Sequence, residues 1–271
     1  MKCHSRAYFA IFRQQLLSGL QYRAGFWGGT ATHIFWAYVR VAIIIVFYRH
    51  GSGGDGMALQ QAVSLLWLQE IALNLLPGYG VDVGVWDKIQ KGDVGYDLIR
   101  PLDVYSHWYV SALSNKLSLF LLSVGPVGLA ALLMPGEMAL RITAPLPSVL
   151  AGLFTLCTGL VVSCAAICLK YGAQMDVNVG EAPARVMALV MQILGGYVLP
   201  LQLWPDFMQG FLKWQPFASM IDLPLRFMAG TASLSELPQV LLVQLIWGVV
   251  LWRLGRAWIG RNLKRLIVQG G

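Results

Sequence analysis

The chain has 271 residues, of which 57% are hydrophobic and only 12% charged, with a mean hydropathy of +0.61. That balance falls outside the range of soluble domains and excludes a water-exposed globular protein. The 20 Lys and Arg against 13 Asp and Glu leave a formal charge of +7, which the placement of the cations explains as membrane orientation without any nucleic-acid partner.

Taken in chain order, residues 4–23 place Phe9, Phe12, Leu16 and Leu20 at helical spacing, with Arg6, Arg13 and Gln14 elsewhere on the wheel. This predicts a helix either lying in the cytoplasmic interface with its apolar face in lipid or packed on the rest of the protein. The first long apolar run starts only after Arg23, with no short apolar segment and small-residue cleavage site before it, so no cleavable signal peptide is expected. Six apolar runs follow, near 24–47, 58–77, 108–134, 147–169, 184–203 and 238–258. Each is close to the length of about 20 residues that crosses a bilayer as a helix. Backbone polar groups have no water partners in lipid, and the short alternating segments of a membrane barrel are absent, so the expected fold is an all-α membrane protein with six transmembrane helices in one domain spanning 1–271. An even number of spans puts both termini on one side. Fourteen Lys and Arg fall on that side and four (Arg49, Arg141, Lys213 and Arg226) on the other. The termini are therefore expected in the cytoplasm.

Within the first two spans stand His33, Arg40 and Glu70. Charges at such depth are costly and face a bundle interior, a cavity or a partner. At 1.5 Å per residue Arg40 lies about 10 Å from the outer end and Glu70 about 18 Å, a difference an extended arginine bridges. Two readings stay open: a polar lining of a substrate path or dimer seam, and an ion pair that fixes the packing of two helices.

Between the second and third runs lies a polar island, residues 85–103, VWDKIQKGDVGYDLIRPLD. It concentrates Asp87, Lys88, Lys91, Asp93, Asp97, Arg100 and Asp103 between two nearly uncharged stretches. Residues 86–91 are expected to form a short helix with Gly92 as its C-terminal cap. Gly95 is a second flexible point, and Pro101 ends any helical turn at Arg100. By the charge rule this helix–hinge–helix segment faces the cytoplasm.

Further along, Asn115 and Lys116 are expected near the inner end of the third span, with the lysine reaching the headgroups. Cys164 and Cys168 read as buried apolar thiols, and Gln174, Asp176, Asn178 and Glu181 as a solvated second cytoplasmic loop. Residues 200–238 are too long for a turn and too apolar for a free loop. Trp204, Trp214, Phe217 and Phe227, broken by Pro205, Pro216 and Pro224, predict two short helical pieces in the outer leaflet, an outer-side re-entrant hairpin before the sixth span. No HExxH or GxSxG is present, and His4, His33, His50 and His107 are scattered without ligand or triad spacing.

Several short motifs occur in a consistent order: Ile89-Gln90-Lys91-Gly92, then Leu98-Ile99-Arg100-Pro101-Leu102, and later Leu199-Pro200-Leu201, Trp204-Pro205, Gln215-Pro216-Phe217, Leu223-Pro224 and Gly230. In these the chain resembles the permease subunits of type-2 ABC exporters. The resemblance implies a transport subunit of the bacterial inner membrane rather than an enzyme. It would pair with a second copy or a different permease, contact membrane lipids, and be driven by a separate ATP-binding-cassette ATPase seated on the island as a coupling helix. In that reading Trp86 and Ile89 supply apolar contact, and Asp87, Lys88 and Lys91 set orientation. Gly92 permits the turn, and Arg100 with Pro101 fixes where the third span begins. ATP and magnesium would sit on the partner, with no cofactor bound by this chain. The residues independently agree that hydrolysis is borrowed, because no GxxxxGK[ST] loop exists and the glycine cluster Gly51-Ser52-Gly53-Gly54-Asp55-Gly56 has no lysine after it. The alternatives are a membrane-embedded enzyme using His33, Glu70 or Asp176, and a secondary transporter, although inverted halves with matching broken spans are not visible. Lipid, peptide, drug, natural product and glycan stay open as substrates.

Overall fold

The computed structural model of the chain describes residues 2–21, 23–51, 57–78, 84–91, 93–175 and 182–264. Among these the secondary structure is helical throughout, with no strand. The helices are α1 (Lys2–Gln21), α2 (Arg23–His50), α3 (Leu59–Ala72), α4 (Val85–Lys91), α5 (Val94–Ile99), α6 (Val104–Leu133), α7 (Leu146–Gln174), α8 (Ala182–Leu194), α9 (Asp206–Trp214), α10 (Pro216–Met220), α11 (Asp222–Ala229) and α12 (Leu237–Leu263).

Among the described residues, α2, α6, α7 and α12 are long and apolar enough to cross a membrane. The other two of the six expected spans are shorter. Helix α3 has 14 residues and continues as a 3-10 turn, Leu73–Leu75, giving about 27 Å of helix. Helix α8 has 13 residues, or about 20 Å, against a hydrocarbon core of about 30 Å.

Local sequence explains the helix ends. Asp103 caps α6, its Oδ2 accepting from the Ser106 amide at 3.0 Å. Helices α7 and α12 start with a proline in the first turn, where the missing N–H has no partner to lose. Glu236 and Ser233 close a capping box just before α12. Gly230 ends α11 in the left-handed region, φ 75°, where a side chain is strained.

Helix α7 is the centre of the bundle and packs against α6, α8, α10, α11 and α12. Lipid tails are as apolar as leucine, so close backbone approach rather than water exclusion holds such contacts. Gly152, Thr155 and Gly159 form the required small face. A Cβ on Gly159 would collide with the Met220 carbonyl, and one on Gly152 with the Pro224 carbonyl and the Met228 side chain. Helices α10 and α11 thereby lie directly on the first half of α7. Helix α1 packs along α6 rather than standing alone: Ser114 Oγ donates to the Phe12 carbonyl at 2.7 Å, and Gly19 meets Ser118. Its outer face keeps Phe9 exposed. The 200–238 region holds three short helices, one more than the sequence suggests, because the path breaks both at Gln215-Pro216 and at Ile221 (φ −137°, ψ −56°).

Candidate functional site

Two clusters of charge stand out, one where α4 and α5 meet the bundle and one buried within it. At the end where α6 begins and α7 and α12 finish, α4 and α5 fold onto the body. Val85 and Val94 enter a compact apolar cluster with Tyr105, Trp108, Tyr171 and Ile259. Ile89 packs against this cluster and is half-buried. Lys88 is likewise turned inward, its Nζ 3.0 Å from Asp97 Oδ2. Asp97 is only 4% exposed and also accepts from Trp108 Nε1 at 3.0 Å, with His107 Nδ1 3.8 Å away. Burial pushes its carboxyl up, but the hydrogen bonds from Trp108 and Lys88, aided by the charges of Lys88 and His107, outweigh this and hold it below the ordinary aspartate range.

What the segment presents outward is different. Asp87, Lys91, Arg100 and Pro101 are exposed, and beside them Tyr96, Leu98 and Ile99 project from α5, Ile99 at 80% and Tyr96 at 68% exposure. Arg100 takes an extended conformation before the proline, φ −72° and ψ 139°. The Trp86 side chain and Gly92 lie outside the described residues.

The second cluster is buried between α2, α3 and α11. Arg40 Nη1 lies 3.3 Å from Glu70 Oε2, and His33 Nδ1 lies 3.6 Å from Glu70 Oε1. Arg40 does more than pair: its Nη2 donates to Gln69 Oε1 at 2.8 Å and to the Tyr197 carbonyl at 2.7 Å. Its guanidinium also sits over the Tyr197 ring, 4.5 Å from the centroid. Gln69 in turn donates to the Gly196 carbonyl at 3.2 Å and to Asp222 Oδ1 at 3.5 Å, and Asp222 pairs with Arg226 at 2.6 Å. Gly196 has φ 79°, and a Cβ there would press on Asp222. Sequence reasoning missed Gln69, Asp222 and Arg226, treating Arg226 as an outer-side surface cation. Opposite charges four residues apart inside an otherwise apolar stretch, Ile221 to Phe227, were the available signal.

These side chains close a structural gap. Helix α8 stops inside the fold, and its last carbonyls need donors. Gln215 Nε2 serves Leu194 at 2.7 Å, Gln69 serves Gly196 and Arg40 serves Tyr197. The far end of α3 is treated in the same way: Lys116 Nζ donates to the Leu76 carbonyl at 3.0 Å and Gln192 to the Gly78 carbonyl at 3.3 Å, while the Asn74 side chain donates to Ser123 Oγ at 3.1 Å. Lys116 is thus buried and does not reach the headgroups. Gln174 is buried too, at the end of α7, instead of solvated, while Asp176, Asn178 and Glu181 lie outside the described residues. A cation at a helix C-terminus is favoured by the dipole as well as by its hydrogen bonds. The two intramembrane cations of long helices therefore finish two short ones. Among the described residues no three His, Cys, Asp or Glu gather as metal ligands.

A family model described as ABC-2 family transporter protein matches residues 34–270. The chain belongs to the ABC-2 family of transporter proteins. The match takes in Arg40, Glu70, the island and the short helices α9–α11 alike. No curated protein and no solved structure matches the chain. As an ABC-2 family member it is a multi-pass membrane protein of the transport class, the permease component of a transporter. The family in general works with an ABC ATPase.

Proposed function

We propose that this chain is the permease subunit of an ATP-driven exporter in the bacterial inner membrane, with both termini cytoplasmic. In this reading α3 and α8 are short spans completed by capped irregular backbone, making six in all. The permease works as a pair, with a second copy or a different permease, and α9–α11 dip into the outer leaflet. The ATPase, with its ATP and magnesium, docks on the island.

The observation that carries the docking claim is the exposed face of α5. Tyr96, Leu98 and Ile99 stand out of a segment that Asp87, Lys91 and Arg100 keep in water. Apolar side chains held out of lipid by surrounding charge mark a protein contact. Buried anchors of this kind dominate interface energy, each worth ~2 kcal/mol or more, while the flanking charges steer and orient. The expected anchors are therefore Tyr96 and Ile99, with Ile89 and Lys88 supporting them from behind. Ile99→Asp should abolish co-purification of the ABC ATPase while the permease inserts and accumulates normally. Undiminished ATPase binding in that variant would remove the docking role from the island.

A further inference from the structure

We infer that Asp97 is the pin that fastens the docking face to α6, a positioning residue through which displacement of α5 becomes displacement of a membrane-spanning helix. The inference rests on the docking reading above and adds the link by which motion leaves the island.

Helix α5 has six residues, too few to be stable alone, so its position is set by what ties it to the body. Within α5 only Val94 and Asp97 are buried. Valine gives a non-directional contact. The carboxylate gives direction: Lys88 from α4 and Trp108 from α6 donate to the same oxygen, Oδ2, at 3.0 Å each. Trp108 is itself fully buried and meets the Tyr171 ring of α7 edge-on, centroids 6.0 Å apart. One carboxylate thus joins α4, α5 and α6, and the indole it holds touches α7. Its neighbours Tyr96, Leu98 and Ile99 face outward, so the docking face and its tether lie back to back on a single helical turn. Charge-assisted bonds in a buried setting are short and stiff compared with apolar contacts, which slide. The depressed carboxyl pKa agrees with a charge held firmly in place.

Hydrogen exchange tests the pin in the full-length permease, alone and in complex with its ABC ATPase, in lipid nanodiscs. In the permease alone, Asp97→Leu should raise exchange of amides 94–99 about tenfold, as loss of a charge-assisted bond predicts, and leave the middle of α6 unchanged. In the complex, ATP should alter exchange across the first turns of α6. Asp97→Leu and Trp108→Phe should both lose that response while still holding an active ATPase, since Tyr96 and Ile99 are intact. Asp97→Asn keeps an acceptor for Trp108 and should restore it. Trp108→Phe preserves the aromatic packing, so the test survives if Asp97→Leu folds poorly. A full α6 response in folded Trp108→Phe, or no ATP response of α6 in the unaltered complex, overturns the pin. ATPase binding that persists in Ile99→Asp overturns instead the docking reading beneath it, and the pin falls with it.

Discussion

At the scale of single residues, Arg40 has three partners, Tyr197 through both carbonyl and ring, and Glu70 has two, and that inequality decides what their removal does. A simple ion pair would suffer equally from either loss. Here Arg40→Leu takes a donor from Glu70, Gln69 and the Tyr197 carbonyl at once, whereas Glu70→Leu leaves Arg40 bonded to Gln69 and Tyr197. Breaking a buried pair by removing one member costs roughly 3–5 kcal/mol. Arg40→Leu should sit in that range, Glu70→Leu clearly below it, and the double variant should recover only part of the arginine loss. Folded yield and thermal midpoint in detergent read this directly, and equal single losses with full recovery in the double would contradict it. The sequence exposed both charges, because a charge in an apolar run is visible without structure. It hid the carbonyls they serve, because a backbone acceptor has no letter of its own. The packing of Ile89 and the Lys88–Asp97 pair were hidden for a related reason: a short amphipathic helix reads the same whether its apolar side meets a partner or its own chain.

At the scale of elements, the contact of α7 with α10 and α11 depends on missing side chains. Gly159 lies against the Met220 backbone and Gly152 against that of Pro224. Neither backbone can give way without moving a helix. Gly159→Leu should cost roughly 3 kcal/mol, the upper part of the range for overpacking, seen as a lowered thermal midpoint. Gly29→Leu on α2, at an exposed position where a Cβ meets nothing, is the matched control and should be near neutral. Helical character of these stretches was legible from run length and from the prolines that punctuate 200–238. The break at Ile221 was not, since no glycine or proline occupies it.

At the scale of the whole molecule, membrane class and family were legible from composition, run lengths and the order of short motifs. The division into four long helices and two short ones was not, because hydropathy cannot tell a helix from the capped irregular backbone that continues it. The orientation we propose rests on the cation count. In a background lacking native cysteines, an impermeant thiol reagent applied to intact cells should label Ser233→Cys, an exposed position before α12, and should label Lys91→Cys only after permeabilisation. Labelling of Lys91→Cys in intact cells would reverse the orientation and separate the island from any cytoplasmic ATPase. The two short helices also differ in when they can be finished. The cation beyond α8 is waiting, since Arg40 is synthesised long before Tyr197, whose carbonyl it serves, although Gln215, which serves Leu194 itself, follows 21 residues later. The cap of α3 is late, since Lys116 follows Leu76 by 40 residues, roughly 2–8 s at bacterial and eukaryotic translation speeds of about 5–20 residues per second. During that interval the carbonyls just past α3 have no cation to meet them, so biogenesis of this permease has a window in which α3 depends on whatever the insertion machinery offers.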